Sequence, residues 1–387
     1  MSSKTVYLDR GEILSSEDLN IDPSELELMP RSEEMIYDVE FKTEAISYSR
    51  DVWRRFRRDK VTVTATLFII AIIIMAIIGP NINEFNYRQQ NLTLQFMPPR
   101  IPGLENIGIF DGRWAMTVQY ANLYRWENYL VEHVRNFEMP TRAGDVTMSE
   151  ILVNLYAHRN AADIYHWFGT DILGRDLFTR LWQGTRVSLL MAAGVGLMTL
   201  VIGLIVGSIC GYYGGWADMI IQRVMEVIWN IPQLPLIILL IMRFGSGIST
   251  MIIIFSITNW IGPAQGVRMQ FYRFKNREYV LASRTMGASD FRIMFKYILP
   301  NAAGYLITAL VLVIPSVVFQ EAGLSYLGLG IQAPHPSIGS LLSDGQSFLL
   351  DYPFIIIPPA FVIVILMLAF NLFGNGLRDA FDPALRR

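Results

Sequence analysis

One cysteine, Cys210, is all the thiol chemistry this 387-residue chain contains. That excludes an internal disulfide framework and any Cys-rich zinc or iron–sulfur site. Cys210 sits in an apolar run and reads as a small packed hydrophobe. Charge is scarce as well: Asp, Glu, Lys and Arg make up 17%, against about 25% in soluble domains. No GxxxxGK[ST] pattern occurs, so the chain does not hydrolyse ATP through a P-loop. GxSxG is absent, which removes the usual serine-hydrolase elbow. His133, His158 and His166 form neither HExxH nor an i,i+4 pair, so no zinc signature is present. A net charge of −2 and a pI of about 6.1 exclude nucleic acid as a partner.

Apolar residues fill the space that charge leaves. They make up 52% of the chain, and mean hydropathy is +0.34. The charges are clumped, leaving stretches long enough to cross a bilayer, for which about 20 apolar residues are needed. The pattern predicts an all-α membrane protein with six transmembrane helices. The spans run from Val61 to Gly79, Val187 to Cys210, Val224 to Met242, Ile248 to Val267, Ile298 to Gln320 and Phe354 to Gly374. Pro232, Pro235, Pro263 and Pro315 lie in or beside spans three to five and predict kinks there. Gly203, Gly207 and Gly211 fall four apart on span two, a face that lets another helix approach closely. Glu226 and Glu321 are ionisable groups near span ends, where snorkelling or a structural pair with Arg223 competes with substrate contact.

Lys/Arg bias sets the orientation. Arg54, Arg55, Arg57, Arg58 and Lys60 precede span one, which places the amino terminus in the cytoplasm. Six crossings return the carboxyl terminus, residues 377–387, to the same side. The segment between spans four and five, with Arg268, Arg273, Lys275, Arg277, Arg284, Arg292 and Lys296, agrees. No cleavable signal peptide precedes the first apolar run. Residues 1–46 read as an acidic, solvated tail. Residues 47–60 read as an amphipathic interfacial elbow helix that meets lipid headgroups. The extracytoplasmic loop, residues 80–186, is too long for a plain connector. Trp114, Tyr120, Tyr124, Trp126 and Tyr129 supply enough aromatic mass for a small folded layer that could dock a partner or roof a pore.

Within the core, residues 187–376, the most informative stretch is Glu278–Asn301. Ala282, Met286, Phe291, Met294 and Phe295 are apolar among basic residues, and Gly287 with Ser289 and Asp290 divides two helical pieces. Such a knob suits force transfer and holds no nucleophile–base pair. It resembles the coupling loop of bacterial ABC importer permeases, with the pattern Glu-Ala-Ala, three residues, Gly, nine residues, Ile-x-Leu-Pro. Ala282, Gly287, Leu299 and Pro300 match in register. Leu281 stands at the acidic position, Ser283 at the second alanine and Tyr297 at the isoleucine, while Glu278 lies three residues early.

Further stretches resemble the peptide/nickel group of these permeases. They are His166-Trp-Phe-Gly-Thr-Asp171, Leu173-Gly-Arg-Asp176 with Arg180, Gly184, Arg186 and Ser188, Gly211 to Asp218, Glu321 to Gly330, and Phe370 to Asp379 with Asp382-Pro383. The C-type subunit of oligopeptide and dipeptide importers is the nearest in pattern. That resemblance implies a type I importer permease fold and half of a translocation pore in the bacterial plasma membrane. It implies a second permease subunit, two ATPase subunits carrying the ATP and Mg, and an extracytoplasmic peptide-binding protein that delivers peptide. No cofactor is expected on this chain, and no catalysis. Glu278, Ala282, Ser283, Gly287, Ala288, Arg292, Leu299 and Pro300 are the expected coupling residues. Asn230, Gln233 and Gln320 are candidates for the substrate path, with helix packing as the competing role. A permease for nickel or another small solute, and an ATP-independent secondary transporter, are the alternatives. No inverted repeat favours the latter.

Overall fold

The computed structural model describes residues 48–141 and 144–381. The acidic tail and the Asp382-Pro383 end of the last motif lie outside them. The first helix, α1 (Tyr48–Arg58), ends at Asp59, whose carboxylate accepts the Val61 and Thr62 amides at 3.1 and 3.3 Å and starts α2 (Lys60–Ile78). The Thr62 hydroxyl, also bonded to that carboxylate, and the two amides hold its pKa below the usual value. α1 is therefore a separate segment with its own contact: buried Phe56 meets Phe373 edge-on at 5.8 Å.

Nineteen residues of α2 reach about 28 Å, close to the hydrocarbon thickness of a bilayer. Leu67, Phe68, Ile70, Ile74 and Ile77 are exposed on it, a face that only lipid or another apolar surface would cover. Its last carbonyls, Ala76 and Ile77, accept Arg186 Nε and Nη2 at 2.8 and 2.7 Å. Arg186 belongs to α4 (Leu177–Tyr213), a 37-residue helix that begins ten residues before the predicted span and rises about 55 Å.

Proline breaks the next two spans. α5 (Gly215–Trp229) and α6 (Gln233–Phe244) are bent by 79° across Asn230, Ile231 and Pro232. α7 (Ile248–Asn259) and α8 (Ile261–Phe274) replace the predicted fourth span. Pro263 cannot donate to the Asn259 carbonyl and its ring crowds it, so the helix restarts at Ile261. Among the described residues, four helices are long and apolar enough to cross a membrane, and the bent pair makes a fifth; α7 is shorter. α11 (Leu299–Tyr326), with Pro315 inside it, and α13 (Ile357–Phe381) complete the bundle, joined by the short α12 (Ile338–Gln346). Met191, Phe255, Val318 and Leu366, from α4, α7, α11 and α13, meet in its fully buried centre.

The α4–α8 seam is where the glycine spacing acts. A Cβ at Gly207 would lie 2.3 Å from the Ala264 carbonyl oxygen, and one at Gly211 2.6 Å from that of Arg268. At Gly203 it would meet Pro263 Cβ at 2.8 Å. The two backbones approach closely only because these positions carry no side chain.

The chain is mostly helical rather than all-α. Between α2 and α4 stands an antiparallel sheet in the order β1–β3–β2, formed by β1 (Arg113–Gln119), β2 (Leu130–Thr141) and β3 (Gly144–Asn154). β1 alternates exposed and half-buried residues, the period-2 signature of a strand with one covered face. Met116 pairs with Ile151 and Trp114 with Val153. The covered face packs on Met97, Ile151, Val153 and Tyr156, all buried. Asn154 then caps the single turn α3 (Leu155–His158).

Candidate functional site

The segment after α8 bends twice. α9 (Glu278–Thr285) ends in a Schellman motif: the Gly287 amide donates to the Arg284 carbonyl at 3.0 Å and the Ala288 amide to Ser283 at 3.1 Å. Gly287 has φ +81°, the left-handed geometry such a cap requires. Ser289 precedes the short α10 (Asp290–Arg292), which runs into a π-helical turn, Ile293–Ile298, and then α11 with Pro300 in its first turn. Pro300, which has no amide to donate, falls where the π-helical turn gives way to α11.

One face of this knob is its base. Val280, Ile293 and Ile298 are fully buried with Phe271 of α8 and Tyr212 of α4. Ser283 is buried on the same side and donates to the Tyr279 carbonyl at 2.7 Å. The opposite face is open. Leu281, Met286 and Phe291 are 45%, 79% and 68% exposed, and Glu278, Ala282, Gly287 and Arg292 are exposed around them. Ala288 and Leu299 are half-buried and Pro300 is exposed. So the structure gathers the expected coupling residues on one knob but divides them. Ser283 anchors it from below, and Glu278, Ala282 and Arg292 stand on the free surface. An open apolar patch rimmed by Arg277, Arg284 and Arg292 is suited to gripping a partner rather than to chemistry.

Within the bundle, three side-chain amides form a chain. Gln233 Nε2 donates to Asn259 Oδ1 at 3.0 Å, and Asn259 Nδ2 donates to Gln320 Oε1 at 3.0 Å. α6, α7 and α11 are thereby linked through polar side chains, with Gln233 exposed and Asn259 and Gln320 half-buried. Gln233 and Gln320 thus come together, through Asn259, which the sequence reading missed because the contact spans 61 residues. Asn230 stays apart, its amide bonded to the Glu226 carbonyl at 2.7 Å. Glu226 pairs with Arg223 at 2.7 Å on the surface. Glu321 is fully buried, with Oε1 accepting the Ser325 and Ser337 hydroxyls at 2.6 and 2.7 Å, so it ties α11 to the cap of α12.

The segment around His166 and Asp176 is the scaffold at the start of α4. Asp176 caps the helix through the Thr179 amide at 2.8 Å and also holds His166 Nδ1 at 2.8 Å and Asn83 Nδ2 at 2.9 Å. Asp171 Oδ2 accepts Arg175 Nε at 2.7 Å and Arg180 Nη1 at 2.6 Å. Arg180 reaches on to Asp344 of α12 at 3.4 Å. Both arginines also line a cavity of about 320 Å³ with Gln332, His335 and Asp344.

Comparison with known proteins places these features in a family. Residues 203–387 match the model of the binding-protein-dependent transport system inner membrane component. Residues 47–99 match the N-terminal TM domain of oligopeptide transport permease C. The dipeptide transport system permease protein DppC of Bacillus subtilis (strain 168) is 36% identical over 347 residues, 89% of each chain. The oligopeptide transport system permease protein OppC of the same organism is 36% identical over 343 residues, 89% of this chain and 92% of that one. An inward-facing structure of the MetNI methionine ABC transporter aligns with 52% of this chain and 96% of its own, at 20% identity and a TM-score of 0.41.

Proposed function

From the premise that the chain belongs to the binding-protein-dependent transport system inner membrane component family, and is a permease subunit of an ABC transport system, we propose that it forms half of the pore of an ATP-driven peptide importer. The observation that carries the coupling part is the open apolar patch of Leu281, Met286 and Phe291, held on a buried base beside the Gly287 bend. A separate ATPase subunit grips this knob, a second permease completes the pore, and an extracytoplasmic binding protein delivers peptide. In this reading ATP and Mg belong to the ATPases. The knob faces the cytoplasm with both termini, α1 lies in the membrane interface, and α7 with the start of α8 completes a sixth span. Closure of the ATPases moves the knob and reorients the bundle between inward-open and outward-open states.

The amides of Gln233, Asn259 and Gln320 line the path, and Asn230 contributes separately from the bend between α5 and α6. Peptide backbones present repeated donors and acceptors, so amide side chains bind them without selecting a side chain.

Uptake of labelled dipeptides and oligopeptides by cells carrying or lacking this chain tests the reading. Energy-dependent uptake that is lost on deletion, restored by the chain and blocked by vanadate supports it. Uptake that ignores deletion, or that resists vanadate and collapses with a protonophore, contradicts it.

A further inference from the structure

The knob could hang from α8 and α11 alone, since the chain enters it from one and leaves into the other. It has a third attachment. Tyr212, the penultimate residue of α4, is 5% exposed and points its hydroxyl into the bend. That hydroxyl donates to Asp290 Oδ1 at 2.5 Å and accepts from Arg284 Nη2 at 3.3 Å. The Arg284 guanidinium also lies 5.5 Å over the Tyr212 ring. Arg284 lies in the last turn of α9 and Asp290 opens α10, so one hydroxyl closes the gap that Gly287 spans.

We propose that Tyr212 is a positioning residue of the transport cycle, a clasp that makes the knob and α4 move as one body. This rests on the reading of the knob as the ATPase contact and names the path its motion takes into the membrane. A buried tyrosine needs some hydrogen-bond partner, and satisfying that need is the ordinary reason for such a contact. Three features go beyond it. Both partners are charged, and they lie on opposite sides of the bend. The residue before Tyr212 is Gly211, the last of the three glycines that press α4 onto α8, so the clasp continues a seam that is already close-packed. On the other side, the chain passes to α11 through the π-helical turn Ile293–Ile298 in place of a regular α-helix. A push on the knob therefore reaches α8 and α11 along the chain and α4 through the clasp. Near its far end, about 48 Å from Tyr212, α4 carries Arg180, which contacts Asp344 of α12. The motion arrives at the opposite mouth.

The test uses the complete transporter, reconstituted in liposomes with its ATPases and binding protein, and reads peptide taken up per ATP hydrolysed. Tyr212→Phe keeps the ring and the apolar base and removes only the hydroxyl. The clasp predicts that uptake per ATP falls about tenfold, the scale of one lost charge-assisted hydrogen bond, while hydrolysis and subunit assembly are retained. Asp290→Ala should behave alike, and Asp290→Asn, which keeps an oxygen to accept the Tyr212 hydroxyl, should retain most of the coupling. An unchanged ratio in Tyr212→Phe overturns the clasp. So does a parallel fall of uptake, hydrolysis and assembly, which marks a merely structural residue. If the unaltered complex shows no ATP-dependent uptake at all, the importer reading itself falls, and the clasp with it.

Discussion

Arg268 grips Asp218 with two parallel hydrogen bonds, Nε to Oδ1 and Nη2 to Oδ2, each 2.6 Å long. The pair joins α8 to α5 just beyond the glycine seam, so α4, α5 and α8 form one block beneath the knob. Asp218 is mostly buried, and the Arg268 guanidinium beside it is only partly shielded.

Replacing Arg268 measures what that fork contributes. Arg268→Ala leaves a buried carboxylate short of two donors and should lower stability by about 1–3 kcal/mol, reduced toward the low end by the solvent that reaches the guanidinium. Arg268→Lys keeps the charge but not the fork and should recover only part of the loss. Thermal unfolding of the purified protein in mild detergent reads both. Equal melting of Arg268→Lys and the unaltered chain would show that charge alone suffices.

Gly287 is open in space but not in conformation. A Cβ there meets nothing within 4 Å, yet the backbone sits at φ +81°. The cost of substitution is then backbone strain, about 1–2 kcal/mol for an L side chain. Gly287→Val should insert into the membrane normally and abolish uptake, while Gly287→Asn, which tolerates left-handed geometry, should retain a measurable fraction. Normal uptake by Gly287→Val would refute the coupling role of the bend.

The α4–α8 seam makes the opposite kind of prediction. At Gly207 a methyl group would strike the backbone oxygen of Ala264, so even Gly207→Ala must part the helices. Gly323 of α11 has open space around its Cβ position, and Gly323→Ala should be neutral or stabilise by up to about 1 kcal/mol. Melting temperatures of the two variants in detergent should differ in sign. A Gly207→Ala protein as stable as the unaltered chain would contradict the close approach.

How legible this was varied with the range of the interaction. α2 is an uninterrupted apolar run, and the glycine spacing in α4 correctly marked a packing face, because both signals are local. The left-handed bend at Gly287 was likewise visible, since glycine between two helical pieces is what a helix cap demands. α4's first turns were not, because Arg180, Gln183 and Arg186 lower the hydropathy there. The cue was Asp176 three residues before Thr179, an N-cap pattern. The sheet was missed because β1 alternates over only seven residues, a weak signal inside a long polar segment. Asn259 and Tyr212 find their partners 61 and 78 residues away. No local pattern encodes such pairs.

Acid should loosen the sheet-bearing segment before the bundle. His158 stacks on Trp126 at 4.5 Å, and its Nδ1 is buried without a hydrogen-bond partner. Burial, with Arg159 nearby, lowers its pKa below the ordinary 6.5. The unfolded chain therefore takes up the proton first, so the contribution of neutral His158 is full above pH 6.5 and is lost as pH falls below it. Hydrogen-exchange protection in β3 and α3, taken relative to the intrinsic exchange rate at each pH, should fall over that range, and His158→Gln should flatten the profile. An identical profile in the variant would assign the effect elsewhere.

Isolation of the chain from native membranes in mild detergent, with mass spectrometry of stoichiometric partners, tests directly whether separate ATPases drive it. A second multi-span permease and ATPase subunits carrying the GxxxxGK[ST] pattern that this chain lacks should come with it. Phe291→Asp, on the open face of the knob, should lose the ATPases and keep the second permease. A chain recovered alone, under conditions that hold a control ABC transporter together, would contradict the account and return the ATP-independent transporter to consideration.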